Sequence, residues 1–83
     1  MAYLVQYADH AEAELSKLSV ARQRELRSTV DGTIGRDPYG HGSSPVRGER
    51  DRRDVDLAGA VLRYEVSRGV LVVTVLRLVA PFG

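Results

Sequence analysis

The sequence contains no cysteine and only two histidines. The absence of cysteine excludes a disulfide framework, a thiolate zinc site and a cysteine nucleophile. With so few histidines, a catalytic metal site built from protein side chains is not expected, and we predict no metal and no cofactor. Long apolar runs are also absent, since the longest, at residues 70–75, includes Thr74 and is far shorter than the ~20 residues that span a bilayer. The N-terminus shows no basic segment of the kind that begins a signal peptide, so we expect a cytoplasmic protein without a membrane partner.

The chain also lacks a large excess of charge of one sign, because its 12 basic and 11 acidic residues leave a formal net charge of only +1. This weak charge argues against non-specific binding to duplex nucleic acid, which depends on many phosphate contacts. Among the 12 basic residues, 11 are arginine. A high arginine content is typical of proteins from GC-rich genomes, but the planar guanidinium group also suits the recognition of phosphate. Both interpretations remain open at this point.

The first half of the chain predicts one strand and two helices. A length of 83 residues and a hydrophobic content of 43% indicate a single small domain over residues 1–83. Residues 3–7 are rich in aromatic and branched side chains and predict the first strand. Asp9 is expected to cap a first helix, and Ser19 a second helix. In the second helix, apolar residues recur every four positions: Leu26, Val30 and Ile34.

The second half predicts a loop followed by three strands. Residues 36–51 carry no regular apolar period and are expected to form the loop. The period then becomes two, which predicts strands at residues 52–57, 60–67 and 70–79, with turns at Ala58-Gly59 and Ser67-Arg68-Gly69. We therefore expect an α+β fold of order β-α-α-β-β-β. Its helical hairpin should pack on one face of a small, mainly antiparallel four-stranded sheet.

The face of the sheet opposite the helices is predicted to hold the functional residues. Arg63 and Glu65 alternate with apolar residues that face the helices, and Arg77 lies in the neighbouring strand. A further arginine cluster lies at the start of the second strand: Arg47, Arg50, Arg52 and Arg53. Together these arginines could form a concave cationic surface that stabilises charge in a phosphodiester transition state. We also expect exposed apolar residues on this face, available to a partner: Val61, Leu71, Val73 and Val75.

Simpler interpretations exist for each of these residues. Arg63 and Glu65 could form an ion pair on a solvated sheet face. The arginine cluster could be neutralised by the acidic residues interspersed with it: Glu49, Asp51 and Asp54. His41 is expected to be a loop residue rather than a catalytic base. The pattern of residues alone leaves these alternatives open.

Short motifs follow one another in order along nearly the whole chain. They are A-x-x-x-L-x-x-L at residues 11–18, Asp37-Pro38-Tyr39-Gly40, Arg52-Arg53-Asp54-Val55, Gly59, Tyr64-Glu65-Val66, and V-T-V-L-R-L at residues 73–78. This ordered set resembles the RelE/ParE superfamily of toxins from bacterial type II toxin–antitoxin systems. The resemblance implies a RelE-like fold and a cognate antitoxin as partner.

The ribonuclease branch of this superfamily implies cleavage of mRNA on the ribosome, by attack of a 2′-hydroxyl on the adjacent phosphate. On that basis we assign Arg63 and Arg77 to charge stabilisation and Glu65 to proton transfer. The RNA-binding residues would be Arg47, Arg50, Arg52 and Arg53. The expected partners are then the ribosome and mRNA in addition to the antitoxin.

The sequence departs from the ribonuclease branch at two places. Where that branch has Tyr-Arg after the glycine turn, this chain has Ala60-Val61, and where it has a basic residue and a Tyr or His after the last strand, residues 80–83 read Ala-Pro-Phe-Gly. Arg63 lies one pleat repeat beyond Val61 on the same face, and we take it as a replacement. The departures also keep two alternatives open: a non-enzymatic, ParE-like inhibitor of DNA gyrase, or a catalytically decayed module that binds an antitoxin. A homodimer is the alternative to the antitoxin complex.

Overall fold

The computed structural model describes residues 2–81, which form two helices and five strands. In chain order the elements are β1 (Leu4–Tyr7), α1 (Asp9–Leu15), α2 (Val20–Gly32), β2 (Ser44–Val46), β3 (Glu49–Leu57), β4 (Ala60–Ser67) and β5 (Val72–Val79). The predicted α+β class is confirmed, but the sheet has five strands rather than four. No helix within residues 2–81 is long and apolar enough to cross a membrane.

The strand missing from the prediction, β2, lies inside the segment that was expected to be a loop. It pairs antiparallel with β3, and β3 itself begins at Glu49 rather than at Arg52. The two strands are joined by Arg47 and Gly48, whose φ angles of 52° and 78° are those of a type I′ hairpin turn. β2 has only three residues and no alternation of apolar and polar side chains, so the period-two pattern could not reveal it.

The five strands form one mixed sheet in the order β1-β5-β4-β3-β2. β1 runs parallel to β5, and the other three pairs of neighbouring strands are antiparallel, which agrees with the prediction of a mainly antiparallel sheet. The order places β5, β4 and β3 in the interior of the sheet and leaves β1 and β2 at its edges. Residues on the three interior strands are therefore flanked by hydrogen-bonded strands on both sides, which fixes where their side chains point.

The two helices cover one face of this sheet, called the inner face. Their apolar residues are buried together with inward-facing residues of β3, β4 and β5: Ala11, Leu15, Leu26, Val30, Val55, Leu62, Tyr64, Val66, Val73, Val75 and Leu78. Ile34, which was predicted to lie in the second helix, follows the end of α2 at Gly32 but is buried in the same core. An ion pair of 2.5 Å between Arg27 and Glu12 links α2 to α1. The hydroxyl of Ser19 accepts a hydrogen bond from the backbone N–H of Arg22 at 3.1 Å, which confirms Ser19 as the N-cap of α2. The N-cap of α1 is Ala8, without a side-chain bond, so the prediction of Asp9 as the cap was wrong.

The predicted position of the β5 valines was wrong. Val73 and Val75 are fully buried on the inner face, because the strand register sets them opposite Val66 and Tyr64. Residues directly opposite each other on neighbouring strands share a face, so the buried partners on β4 fix the orientation. Leu71 is half-buried and belongs to the preceding turn, at φ 55°, rather than to β5. Of the expected outer apolar set, only Val61 is an exposed residue of the outer face, the face opposite the helices.

A β-bulge in β5 then reverses the alternation of its side chains. Val75 is opposite Tyr64 and Arg77 is opposite Arg63, so Leu76 is an extra residue on β5. Strict alternation after the buried Val75 would carry Arg77 into the core. The bulge instead turns Arg77 outward, beside Arg63, and returns the next residue to the core.

Candidate functional site

The outer face brings together charged residues and two valines from three adjacent strands. β3 contributes Arg52, Asp54 and Asp56, β4 contributes Val61, Arg63 and Glu65, and β5 contributes Arg77 and Val79. On β3 and β4, these residues alternate with buried ones, so the pleat of each strand holds them on the side away from the helices. The result is a sheet surface on which charges of both signs are arranged in cross-strand pairs.

Arg63 and Asp54 form a two-point ion pair at the centre of this surface. The Arg63 Nε lies 2.8 Å from one carboxylate oxygen of Asp54, and its Nη2 lies 3.0 Å from the other. The hydrogen bonds from Arg63 lower the pKa of Asp54 below its usual value, so this carboxyl group is ionised at neutral pH. The same hydrogen bonds raise the pKa of Arg63. The pair is partly exposed, and its two parallel hydrogen bonds fix the plane of the guanidinium group.

Arg52 and Glu65 form a second cross-strand pair, one pleat repeat away. The Arg52 Nη2 donates to a Glu65 carboxylate oxygen at 2.7 Å, and its Nε lies 3.9 Å from Glu49. The hydrogen bond to Glu65 raises the pKa of Arg52. Arg63 and Glu65, suggested by sequence as partners in a same-face ion pair, are thus each paired with a residue of β3.

Arg77 differs from both of these arginines because none of the ion pairs within residues 2–81 involves it. It is exposed and lies directly opposite Arg63 in the strand register. Two arginines therefore lie opposite each other on the outer face, and within residues 2–81 only Arg63 is held by a carboxylate. Neighbouring cations of this kind attract an anion such as phosphate.

A shallow hollow of about 160 Å³ lies between these residues, lined by Asp54, Val61, Arg63, Arg77 and Val79. Val61 and Val79 are opposite each other in register and are 48% and 50% exposed, so they form an apolar wall beside the two arginines. The hollow is smaller than the roughly 300–1,000 Å³ typical of small-molecule pockets. Its open shape and mixed lining suit a segment of an extended polymer, with an anionic group on the arginines and an apolar group against the valines.

Arg53, which the sequence grouped with the RNA-binding arginines, is placed on the opposite side of β3. It is only 8% exposed, and its donors reach the Ser43 hydroxyl at 2.9 Å, the Arg50 carbonyl at 3.0 Å and the Ser43 carbonyl at 3.1 Å. A weaker contact of 3.5 Å reaches the Tyr39 carbonyl. Since these donors are used within the chain, Arg53 anchors the segment between α2 and β2.

Arg50 and Arg47 lie towards the β2 side of the sheet. The Arg50 guanidinium stacks on the ring of Tyr39 at 4.5 Å from its centroid, and the Tyr39 hydroxyl donates to Asp51 at 2.6 Å. Partial burial and this hydrogen bond raise the pKa of Tyr39 to about 12. Arg50 and Arg52 border a broader hollow of about 340 Å³. Arg47 is exposed in the β2–β3 turn.

Two residues of this region were not among the predicted site residues. Asp54 appeared in the sequence only as an acidic interruption of the arginine cluster, although its place in the period-two pattern put it on the outer face. Tyr39 lies in the Asp-Pro-Tyr-Gly motif, where an aromatic residue beside an arginine cluster was the available signal. His41 is exposed in the loop at φ 58°. Residues 2–81 contain no group of three His, Asp or Glu side chains that could hold a metal ion.

Two helices on one face of a mixed five-stranded sheet, with the other face open and charged, form an architecture that solved structures share. The chain matches the toxin–antitoxin complex RelBE2 from Mycobacterium tuberculosis with a TM-score of 0.83, at 20% identity, over 100% of this chain and 95% of that chain. It matches a mutant of the E. coli toxin RelE in the free state with a TM-score of 0.72, at 25% identity, over 94% of this chain and 82% of that one. The archaeal RelE–RelB complex from Pyrococcus horikoshii OT3 matches with a TM-score of 0.63, at 20% identity, over 99% and 98%.

The chain therefore has the RelE fold, and the fold implied by the sequence resemblance is confirmed. No protein-family profile and no curated protein matches the chain by sequence. The likeness thus resides in the arrangement of the strands and helices and in a few short motifs rather than in extended sequence identity.

Proposed function

We propose that this chain is the toxin of a type II toxin–antitoxin system and that it cleaves mRNA on the ribosome, which inhibits translation in the cytoplasm. The observation that supports this most strongly is the match over 100% of the chain to a RelBE2 toxin–antitoxin complex, with a TM-score of 0.83. The outer face supports the proposed chemistry, since it presents two adjacent arginines, Arg63 and Arg77, beside an open hollow.

The proposed reaction is an internal transfer at one phosphate of the RNA. The 2′-hydroxyl oxygen bonds to the adjacent phosphorus, its proton passes to a base, and the bond to the 5′-oxygen breaks as that oxygen takes up a proton. Negative charge develops on the non-bridging oxygens, where Arg63 and Arg77 would stabilise it. Glu65, whose carboxylate lies one pleat repeat along β4, is the proposed proton acceptor.

The remaining arginines divide into two groups in this proposal. Arg52, Arg50 and Arg47 lie along the side of the sheet towards β2 and are exposed, so they are suited to positioning the RNA backbone. Arg53 is left out of the RNA-binding set, because its guanidinium is buried and bonded within the chain. Its role in the proposal is to hold the loop next to which Arg50 and Arg52 lie.

The proposed partner is a small acidic antitoxin that covers the outer face. The sequence predicted a partner partly because Val73 and Val75 were expected to be exposed, but both are buried in the core. Two other observations support it. Val61 and Val79 are exposed beside the arginines, and the matched M. tuberculosis structure is a toxin–antitoxin complex. An amphipathic helix or an added strand with acidic residues would neutralise the arginines and cover the valines. Self-association through the same surface is the alternative.

A non-enzymatic function is the second candidate, either inhibition of DNA gyrase or antitoxin binding by an inactive domain. The observation that favours it is the apolar Val61 at a position where the ribonuclease branch resembled by the sequence has arginine. The pairing of both Arg52 and Arg63 with carboxylates points in the same direction, since paired cations attract phosphate less strongly.

Controlled expression of the chain in bacterial cells, with mapping of mRNA 5′ ends, separates these functions. New 5′ ends within translated reading frames, accompanied by growth arrest, are expected from the proposed activity. Intact mRNA with an induced DNA-damage response would instead support gyrase as the target. Normal growth with intact mRNA would identify an inactive domain.

A further inference from the structure

Asp54 is an acidic residue on the outer face that takes no part in the proposed reaction steps. It lies on β3 directly opposite Arg63 of β4 and lines the same hollow as Arg63 and Arg77. An acidic residue beside a surface that must bind phosphate reduces the local positive charge. Its presence there requires a reason other than the attraction of RNA.

The geometry of the ion pair supplies that reason. Asp54 accepts hydrogen bonds from Nε and Nη2 of Arg63, which is the side-on arrangement of an arginine–carboxylate pair. A guanidinium group has five N–H donors, so the edge formed by its two terminal nitrogens still has donors for a second anion. Asp54 thus fixes the plane of the guanidinium group without using all of its donors.

The neighbouring arginine shows what this constraint changes. Arg77 lies opposite Arg63 but has no carboxylate partner among the described residues, so no ion pair restricts its side chain there. An oriented donor group stabilises a transition state better than a mobile one, because no reorganisation is needed when charge develops. Of the two arginines, Arg63 is therefore the one that is preorganised.

We infer that Asp54 is a positioning residue that orients the Arg63 guanidinium towards the reacting phosphate of RNA. The inference rests on the proposed ribonuclease function. The positioning role differs from a second role, in which the Asp54 carboxylate competes with phosphate for Arg63 and keeps the free chain inactive. The two roles predict opposite effects on the cleavage rate when the carboxylate is removed.

The test compares Asp54→Asn with Asp56→Asn, purified and shown to be folded by circular dichroism. Asp56 is the matched control, because it lies two residues along the same strand and is exposed, but none of the ion pairs within residues 2–81 involves it. Both variants lose one negative charge from the outer face. Two quantities are measured: the single-turnover cleavage rate on ribosomes programmed with mRNA, and the affinity for a trinucleotide made uncleavable by 2′-O-methyl groups.

We expect Asp54→Asn to cleave about 10- to 100-fold more slowly than the unaltered chain, as a misaligned catalytic group does. Its affinity for the trinucleotide should be unchanged or up to roughly fivefold higher, since an exposed negative charge has been removed. Asp56→Asn should show the same small rise in affinity without the loss of rate. Faster cleavage by Asp54→Asn would overturn the inference in favour of competition, and equal rates for the two variants would overturn it in favour of a purely structural ion pair.

A second readout keeps the inference testable if the chain does not cleave RNA at all. The Nε–H signal of Arg63 in a ¹⁵N NMR spectrum should be sharp in the unaltered chain and should shift when the uncleavable trinucleotide is added. In Asp54→Asn that signal should broaden as the side chain becomes mobile. A trinucleotide that shifts the Arg63 signal only in Asp54→Asn would contradict the positioning role, whether or not cleavage occurs.

Discussion

At the scale of the residue, Arg52 and Arg53 show that the same type of side chain has different roles in different environments. They are adjacent on β3 and therefore point to opposite faces of the sheet. Arg52 is exposed and paired with Glu65, whereas Arg53 is buried and holds Ser43 through its hydroxyl and its carbonyl. An exposed ion pair contributes little to stability, but a buried charged group that satisfies several backbone acceptors contributes much more.

The first prediction compares Arg53→Ala with Arg52→Ala. We expect Arg53→Ala to lower the free energy of unfolding by about 2–3 kcal/mol, because the carbonyls that it serves lose their donors. Arg52→Ala should leave the stability nearly unchanged. Urea denaturation followed by circular dichroism measures both values. Equal effects of the two substitutions would contradict the assignment of Arg53 to the loop.

The second prediction concerns two tyrosine hydroxyls. The Tyr64 hydroxyl is buried and donates to the carbonyl of Pro38, whereas the Tyr7 hydroxyl is buried without a hydrogen-bond partner within residues 2–81. Tyr64→Phe should therefore destabilise the fold by about 1–2 kcal/mol, and Tyr7→Phe should be neutral or stabilising by up to about 1 kcal/mol. The two melting curves test this directly. A loss of stability in Tyr7→Phe equal to that in Tyr64→Phe would show that the Tyr7 hydroxyl has a partner.

At the scale of the element, the third prediction concerns the turn between β3 and β4. Ala58 and Gly59 have φ angles of 52° and 76°, which define a type I′ turn with an alanine in the left-handed region. Asparagine tolerates that region better than alanine does. Ala58→Asn should thus raise the free energy of unfolding by about 0.5–1 kcal/mol, because it relieves strain without touching the carbonyl that accepts from Arg22. A lower melting temperature would argue against the turn geometry.

The turns and strands also show which parts of the fold can be predicted from the sequence. The strands with a clear period of two, and the turn at Ala58-Gly59, were predicted because local alternation and turn chemistry determine them. The short strand β2 and the bulge at Leu76 were not, because both depend on pairing with a neighbouring strand rather than on local composition. The orientation of Val73 and Val75 was mispredicted for the same reason: it follows from their register with β4.

In the candidate site, too, the local pattern predicted some features, while those that depend on strand pairing were missed. Arg63 and Glu65 could be placed on one face of β4 from their spacing alone. Their ion-pair partners could not be, since Asp54 and Arg52 meet them only through the β3–β4 register. The burial of Arg53 was equally hidden, because its acceptors belong to a loop whose path the sequence does not reveal.

At the scale of the whole molecule, the net charge is only +1, but the outer face holds two arginines, Arg63 and Arg77, directly opposite each other. The fourth prediction follows from the arginines of the outer face. An acidic antitoxin should bind there as a stable complex, and the affinity should fall as salt is raised, because screening weakens the charge pairing. Size-exclusion chromatography with light scattering distinguishes this complex from a homodimer. A monomer that does not bind the protein encoded next to it, even at low salt, would contradict the toxin–antitoxin assignment.

The most direct measurement is reconstitution of the proposed reaction with purified ribosomes, a defined mRNA and the purified chain. We predict cleavage within the reading frame only when ribosomes are present. Arg63→Ala should lose about 10²-fold in rate while it remains folded, because a donor to the developing charge is removed. Arg68→Ala is the control, since Arg68 is exposed in the β4–β5 turn and lies outside the proposed site. Intact mRNA in the presence of translating ribosomes, or equal cleavage by Arg63→Ala and the unaltered chain, would contradict catalysis by the outer face.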